Sequence, residues 1–241
     1  MPQLLLLHGA IGSKDQLKDL ENILSSSYKV HSINFKGHGG SAFTADPFSI
    51  RSFAEEVITF LRSSNIDQIN IFGYSMGGYV AMYLAKHYPG KINKVITLAT
   101  KFSWNRAIAE KEIKMLNAEK IEGKIPSFAA ALKERHLPQN WKLVLEKTID
   151  LLTAMGENNP LQAEDYLTIH QPVLLMLGDR DKMVTLEETL AVYKGLPNAQ
   201  LSIIPNTSHP VEVANTARLA FEISSFLDPA NPVPATYLPQ A

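Results

Sequence analysis

The stretch Phe72–Gly78, with the sequence FGYSMGG, constrains this chain more than any other part of its sequence. An apolar run precedes it and a helical pattern of apolar residues follows it, which indicates a strand, a G-x-S-x-G turn and a helix. In such a nucleophile elbow Gly73 and Gly77 leave room for the neighbouring strand and helix, and the serine is held in a strained conformation. The turn would hold Ser75 at a helix N-terminus, which favours developing negative charge. Because a bare G-x-S-x-G also occurs in ordinary glycine-rich turns, the catalytic interpretation needs partners elsewhere.

The composition is ordinary for a globular protein. The 241 residues are 45% hydrophobic and 20% charged, and the net charge of −1 gives no indication of a nucleic-acid or anionic-membrane partner. The chain has no cysteine, which excludes disulfides, thiolate metal sites and a cysteine nucleophile. No metal or other cofactor is predicted. The apolar run Leu4–Leu7 is too short for a signal-peptide core or a membrane span, so we expect a cytoplasmic protein.

Strand and helix patterns alternate along most of the chain, which is typical of a parallel sheet with right-handed crossovers. Strands are predicted at residues 3–7, 29–35, 69–72, 95–99, 173–177 and 201–204. Helices are predicted, among others, at residues 49–62 and 213–227. We therefore expect an α/β core made of residues 1–100 and 171–228.

The alternation stops in residues 101–170, called the insert below. Three helical patterns punctuated by prolines replace it. The insert could be a lid over the site or an extra packing layer. We favour a helical lid because the insert leaves the strand next to the elbow strand, near the edge where ligands bind in such folds. It also has more large apolar residues than three short helices need for their own packing: Trp104, Met115, Phe128, Leu132, Trp141 and Met155.

A serine hydroxyl is a poor nucleophile near neutral pH, so Ser75 needs a histidine base and an acid that orients it. Of seven histidines, only His209 lies in a loop directly after the last predicted strand. Asp179 and Asp181 follow the preceding strand, and either could be the acid. The chain order is then serine, aspartate, histidine, which is the order that accompanies this elbow. Each residue alone could belong to an ordinary loop, but their common position at strand ends predicts a triad.

With these motifs the chain resembles the α/β-hydrolase family over nearly its whole length. The matching segments are residues 8–10 (HGA), 37–41 (GHGGS), 73–77 (GYSMG), 178–181 (GDRD) and 208–209 (SH). The resemblance implies that Asp181 rather than Asp179 is the acid, and that the backbone N–H groups of Ala10 and Met76 bind the oxyanion. We expect His8 to brace its loop and not to act as a base. The strongest similarity is to small lidded members such as pimeloyl-ester esterases and menaquinone-pathway hydrolase-like lyases.

The chain departs from the family pattern in two respects. Asn34 stands where relatives often have aspartate, which is expected to loosen the glycine-rich turn that follows without affecting the chemistry. The chain also starts directly at the strand leading into His8, so the two N-terminal strands usual in the family are expected to be missing. We therefore predict an α/β-hydrolase fold with about six mostly parallel strands, the strand at residues 29–35 at one edge, and helices on both faces.

Three function classes fit these residues. The first is a serine hydrolase that cleaves a small carboxylic ester or thioester with an apolar acyl group. The second uses the same triad for carbon–carbon hydrolysis or elimination, and the third is a non-catalytic receptor on the same fold. The intact Ser75, Asp181 and His209 favour an enzyme over the receptor. The expected partner is a small apolar acyl substrate, and a homodimer stays open.

The C-terminal segment, residues 229–241, has four prolines, which exclude a helix. Tyr237 and Leu238 are its large apolar residues. A loose tail is one interpretation, but we favour a packed tail in which these two residues dock on the sheet edge that the missing N-terminal strands leave uncovered.

Overall fold

A computed structural model describes residues 1–230. Its six strands are β1 Gln3–Leu7, β2 Lys29–Ile33, β3 Ile69–Tyr74, β4 Ile92–Leu98, β5 Val173–Gly178 and β6 Ala199–Ile204. They are all parallel and lie in the order β2-β1-β3-β4-β5-β6. The predicted fold class is confirmed, with β2 at one edge of the sheet. The docking suggested for Tyr237 and Leu238 lies outside the described residues.

Ten α-helices connect and cover the strands in the described part of the chain. Those of the core are α1 Lys18–Leu24, α2 Ile50–Ser63, α3 Met76–His87, α9 Leu186–Gly195 and α10 Thr216–Leu227. Those of the insert are α4 Arg106–Ile113, α5 Ala118–Lys124, α6 Pro126–His136, α7 Trp141–Glu157 and α8 Ala163–Tyr166. In residues 1–230 we find no helix with both the length and the apolarity that a membrane span requires.

Strand β1 contains four consecutive leucines, so apolar and polar residues do not alternate along it. Successive side chains of a strand point to opposite faces, so a strand covered on both faces is apolar throughout. Leu5 and Leu7 belong to a buried cluster with α2, α3 and α9. Leu4 and Leu6 belong to a second cluster, with α1 and α10, on the other face. The core therefore has three layers, as predicted from the alternating strands and helices.

Several element boundaries differ from the sequence prediction. The second strand ends at Ile33 instead of residue 35, where the chain turns toward the glycine-rich loop. A short 3₁₀ turn, Val211–Val213, precedes α10, whose N-cap is Asn215. The insert has five helices where three were predicted. The two missed helices are α5 and α8. Helix α5 buries only Ile121 and contains a glycine, and α8 has only four residues, so neither sequence carries much helical periodicity.

The insert packs partly on itself and partly on the core. Its own cluster includes Leu132, Trp141 and Leu145. Other residues of α7, among them Val144, Leu151 and Met155, join the large cluster of the sheet face that carries α3. The insert is therefore seated next to the elbow.

Candidate functional site

The elbow has the strained geometry that the sequence predicts. Ser75 has φ 51° and ψ −116°, in the positive-φ region of the backbone map that residues other than glycine rarely occupy. A Cβ added at Gly73 would lie 2.3 Å from the Gly77 carbonyl oxygen, and one at Gly77 would lie 2.4 Å from that of Leu7. The Ser75 N–H donates to the Leu98 carbonyl over 2.8 Å. These contacts fix Ser75 between the end of β3 and the start of α3.

Asp181 and His209 are brought together at the ends of β5 and β6. The distance from His209 Nδ1 to Asp181 Oδ2 is 2.9 Å. The other carboxylate oxygen accepts from the backbone N–H groups of Met183, over 2.8 Å, and Val184, over 2.9 Å. Burial acts to raise the pKa of Asp181, but the hydrogen bonds from His209 and the two amides outweigh it and lower the pKa. Asp181 is thus an ionised carboxylate that orients the imidazole.

The neighbouring Asp179 has a different position. Its Oδ1 accepts from the Thr207 N–H over 3.1 Å, and its other oxygen lies 3.6 Å from Arg180 Nε. Arg180 in turn donates its N–H to the Thr207 carbonyl over 3.0 Å. Asp179 therefore joins the loop after β5 to the loop that carries His209, and it does not contact the imidazole.

His209 is also held through its own backbone. The Tyr74 hydroxyl donates to the His209 carbonyl over 3.1 Å, and the two rings are 5.7 Å apart. Tyr74 is the residue before the elbow serine. The strand that ends in Ser75 therefore also positions the loop of the candidate base.

Ala10 and Met76 lie beside Ser75 and His209 in one cavity. Met76 is the first residue of α3, so its N–H has no acceptor within the helix. Within residues 1–230, the Ala10 N–H also makes no hydrogen bond to the backbone or a side chain. Both N–H groups therefore lie at the cavity beside Ser75 without a backbone or side-chain acceptor in residues 1–230.

His8 has the structural role that was expected. The Phe35 N–H donates to His8 Nε2 over 3.2 Å, so the hydrogen is on Nδ1, which donates to the Gly9 carbonyl over 2.8 Å. Burial lowers the pKa of His8 to about 4. His8 is therefore neutral near pH 7 and both its nitrogens are used by the backbone.

Asn34 does not loosen the glycine-rich turn, contrary to the expectation. Its Nδ2 donates to the Gly39 carbonyl over 2.9 Å, while its Oδ1 accepts from the Lys14 N–H over 2.7 Å. An ionised aspartate could not donate to that carbonyl. Asn34 therefore closes the turn with its side-chain amide.

The cavity has a volume of about 280 Å³ and is mainly apolar on the side of the insert. The large apolar insert residues that line the cavity are Trp104, Met115, Leu116, Phe128, Leu151, Leu152 and Met155. Of the six large apolar residues singled out in the sequence, four therefore face the cavity. Leu132 and Trp141 instead pack inside the insert.

Two polar groups at the cavity were missed by the sequence analysis. Lys101, at the start of the insert, lies 3.7 Å from Glu112 and 3.6 Å from Glu188. At another side Arg135 lies 3.3 Å from Glu212, which also accepts from Gln16. The sequence around a charged residue does not show which residue it will pair with, because the partners are far apart in the chain.

The described residues give no support for a metal centre. Residues 1–230 contain no group of three or more histidine, aspartate or glutamate side chains arranged to hold a metal ion.

Comparison with known proteins identifies the family. Residues 2–143, more than half of the chain, match the family model of the alpha/beta hydrolase fold. The chain belongs to the α/β-hydrolase family. The resemblance noted in the sequence is thereby confirmed, and the protein is an enzyme of this fold.

Individual relatives are distant. A pimeloyl-[acyl-carrier protein] methyl ester esterase of Neisseria meningitidis serogroup C is 25% identical over 245 residues, which cover 92% of each chain. Among solved structures, MenH from S. aureus superposes with a TM-score of 0.77 at 20% identity, covering 94% of this chain and 93% of that one. A thermophilic esterase from Thermogutta terrifontis gives 0.74 at 20% identity, covering 94% and 89%. At these identities the two structures show a shared fold only.

Proposed function

We propose that this α/β hydrolase is a serine esterase that cleaves carboxylic esters or thioesters of apolar acyl groups. The observation that carries the proposal is the 2.9 Å contact between His209 Nδ1 and Asp181 Oδ2, at a cavity that Ser75 and His209 both line. The names of relatives agree with it, since the Neisseria protein is an ester hydrolase.

The first half of the proposed reaction acylates Ser75. Because Asp181 accepts the Nδ1 hydrogen, the second imidazole nitrogen of His209 is free to take the Ser75 proton. The serine oxygen attacks the ester carbonyl, and the Ala10 and Met76 amides bind the oxyanion. Collapse of the tetrahedral intermediate breaks the bond to the alcohol or thiol, which leaves with the proton from His209.

The second half releases the acid. Water enters the place of the leaving group and His209 takes one of its protons as the oxygen attacks the acyl carbon. The bond to Ser75 then breaks, and the serine regains its hydrogen from His209. No cofactor is needed in either half.

The substrate class follows from the wall of the cavity. Apolar side chains of the insert line it, and burying a methylene group there would contribute up to about 0.8 kcal/mol to binding. We infer that the acyl group lies against the insert, which acts as a lid over the core formed by residues 1–100 and 171–228.

The test is hydrolysis of p-nitrophenyl and methyl esters from acetyl to dodecanoyl, measured with the wild type and with Ser75→Ala. We expect saturable turnover in the wild type and its loss in the variant. A wild type that turns over none of these esters would contradict the proposal. Covalent reaction of Ser75 with a fluorophosphonate in that case would favour carbon–carbon cleavage or elimination.

A further inference from the structure

His136, the last residue of α6, joins the insert to two loops of the core. Its side chain is fully buried and is not part of the cavity wall. The Gly39 N–H donates to His136 Nδ1 over 3.1 Å, so the ring hydrogen is on Nε2. That nitrogen donates to the Ile11 carbonyl over 3.0 Å. One neutral imidazole therefore connects the glycine-rich turn with the loop that follows β1.

The Ile11 carbonyl belongs to the residue directly after Ala10. Ile11 has φ 52°, a backbone angle that residues with a branched Cβ rarely adopt. Arg135, the preceding residue of α6, donates to the same carbonyl from a guanidinium nitrogen over 3.1 Å. Two donors from the insert thus hold a strained residue of the core, and such strain persists only where the surroundings over-determine it.

The position of Ile11 fixes that of the Ala10 amide. Both belong to one short loop between β1 and the 3₁₀ turn Lys14–Leu17, which is closed by a 3.2 Å hydrogen bond from Gly12 N–H to the Gly9 carbonyl. A rotation at Ile11 would turn the Ala10–Ile11 peptide and displace the neighbouring amide. An oxyanion donor is useful only when it is preorganised at the right distance.

We propose that His136 is a positioning residue that sets the Ala10 N–H for the oxyanion through the Ile11 carbonyl. The oxyanion site is then complete only when α6 of the insert is seated on the core. This inference rests on the proposed function, because it assumes that Ala10 binds an oxyanion formed at Ser75. According to this proposal the reaction requires a residue of the insert, His136, that does not line the substrate cavity.

Burial supports this role, since it lowers the pKa of His136 to about 4. Near pH 7 the ring therefore keeps one nitrogen that accepts from Gly39 and one that donates to Ile11. A lysine or arginine could not accept from Gly39, and a carboxylate could not donate to Ile11.

The two hydrogen bonds can be separated by substitution. His136→Gln extends an amide to about the place of Nε2 and can still donate to Ile11. The asparagine side chain of His136→Asn is shorter, so its oxygen can accept from the Gly39 N–H but its amide nitrogen does not reach the Ile11 carbonyl. Leu132→Ala is the matched control, because Leu132 is equally buried, lies one turn earlier in α6 and is not part of the cavity wall.

The experiment measures kcat and KM on one ester, together with inhibition by a trifluoromethyl ketone, whose adduct places an oxyanion in the site, and by an uncleavable ether analogue. All assays are run below the melting temperature of the least stable variant. Removing an oxyanion donor costs about 10²–10³ in rate, and displacing one should cost less, about 10–10². We expect His136→Asn to lose that factor in kcat and in ketone affinity, with KM and ether affinity within about threefold of the wild type.

His136→Gln should restore most of the loss, and Leu132→Ala should change stability without changing the ratio of ketone to ether affinity. Equal ketone-to-ether ratios in His136→Asn, His136→Gln and the wild type would overturn the positioning role while the ester turnover still supports the proposed function. A wild type that neither turns over the ester nor binds the ketone would overturn both.

Discussion

The imidazole of His209 donates to Asp181 over 2.9 Å, while Asp179, two residues earlier, binds the backbone of Thr207 instead. Two carboxylates of one loop therefore have separate tasks. Asp181 orients the candidate base, and Asp179 holds the loop of that base against the loop after β5.

The first prediction separates these two aspartates. Asp181→Asn should lower kcat by about 10⁴, because an amide stabilises the wrong imidazole tautomer and cannot stabilise the imidazolium. Asp179→Asn should keep most activity, since its remaining oxygen can still accept from Thr207. Steady-state kinetics on one ester decide between them, with melting curves as the check on folding. A larger loss in Asp179→Asn than in Asp181→Asn would reverse the assignment.

The second prediction concerns acyl length. Because the insert side of the cavity is apolar, kcat/KM on linear esters should rise by up to about 0.8 kcal/mol, about fourfold, for each added methylene before it levels off. Leu152→Trp should fill the cavity and shift the optimum to shorter chains. Thr153→Trp is the control, since the next residue of α7 is exposed. A profile that falls steadily from acetyl in the wild type would contradict an apolar acyl site.

The third prediction concerns stability below neutral pH. Burial lowers the pKa of His8 and of His136 to about 4, from an ordinary value near 6.5. Between about pH 6.5 and pH 4 the unfolded chain binds protons that the folded chain does not. The free energy of unfolding should therefore fall as the pH decreases through this window, by about 1.4 kcal/mol per pH unit for each such histidine.

Urea unfolding at pH 7.5, 6.5, 5.8 and 5.0 measures this slope. His136→Gln should make the slope shallower by about one proton, and Leu132→Ala, which removes an equally buried side chain of α6 without a titrating group, should leave it unchanged. If the His136→Gln slope equals that of the wild type, burial of His136 does not contribute to the pH dependence.

The fourth prediction concerns the ion cluster where the insert leaves β4. Lys101 is nearly buried between Glu112 and Glu188, so Lys101→Met leaves two carboxylates facing each other without the ammonium group. We expect a loss of about 3 kcal/mol in the free energy of unfolding, close to the range found when one partner of a buried pair is removed. Chemical denaturation measures this loss.

Lys91→Met is the control for the ion cluster, because Lys91 forms an ion pair with the exposed Asp67. Such surface pairs contribute about 0–1 kcal/mol. Similar losses in Lys101→Met and Lys91→Met would show that the cluster is not a significant link between the insert and the core.

The elbow and the strands could be predicted because their signals are local. The glycines of the turn are required by contacts within one strand–turn–helix unit, and the buried strands are continuous apolar runs. The choice between Asp179 and Asp181 could not be made from the local sequence. The residues alone left both open, since the choice depends on which backbone amides each carboxylate meets after the loop has folded.

The contacts of the insert could not be predicted. His136 and Ile11 are 125 positions apart, and their hydrogen bond exists only because α6 is seated on the loop after β1. In the sequence His136 was one of seven histidines, with no motif around it. Helix α5 was missed for a different reason, because one buried residue in seven does not produce a periodic pattern.

Covalent labelling tests directly whether Ser75 is an activated nucleophile. Intact protein is incubated with a fluorophosphonate, and peptide mass spectrometry then locates the adduct in the wild type, Ser75→Ala and Asp181→Asn. We expect one adduct on Ser75 in the wild type, none in Ser75→Ala, and labelling slowed by orders of magnitude in Asp181→Asn. An unlabelled wild type, or an adduct that persists in Ser75→Ala, would show that Ser75 is not a nucleophile activated by His209 and Asp181.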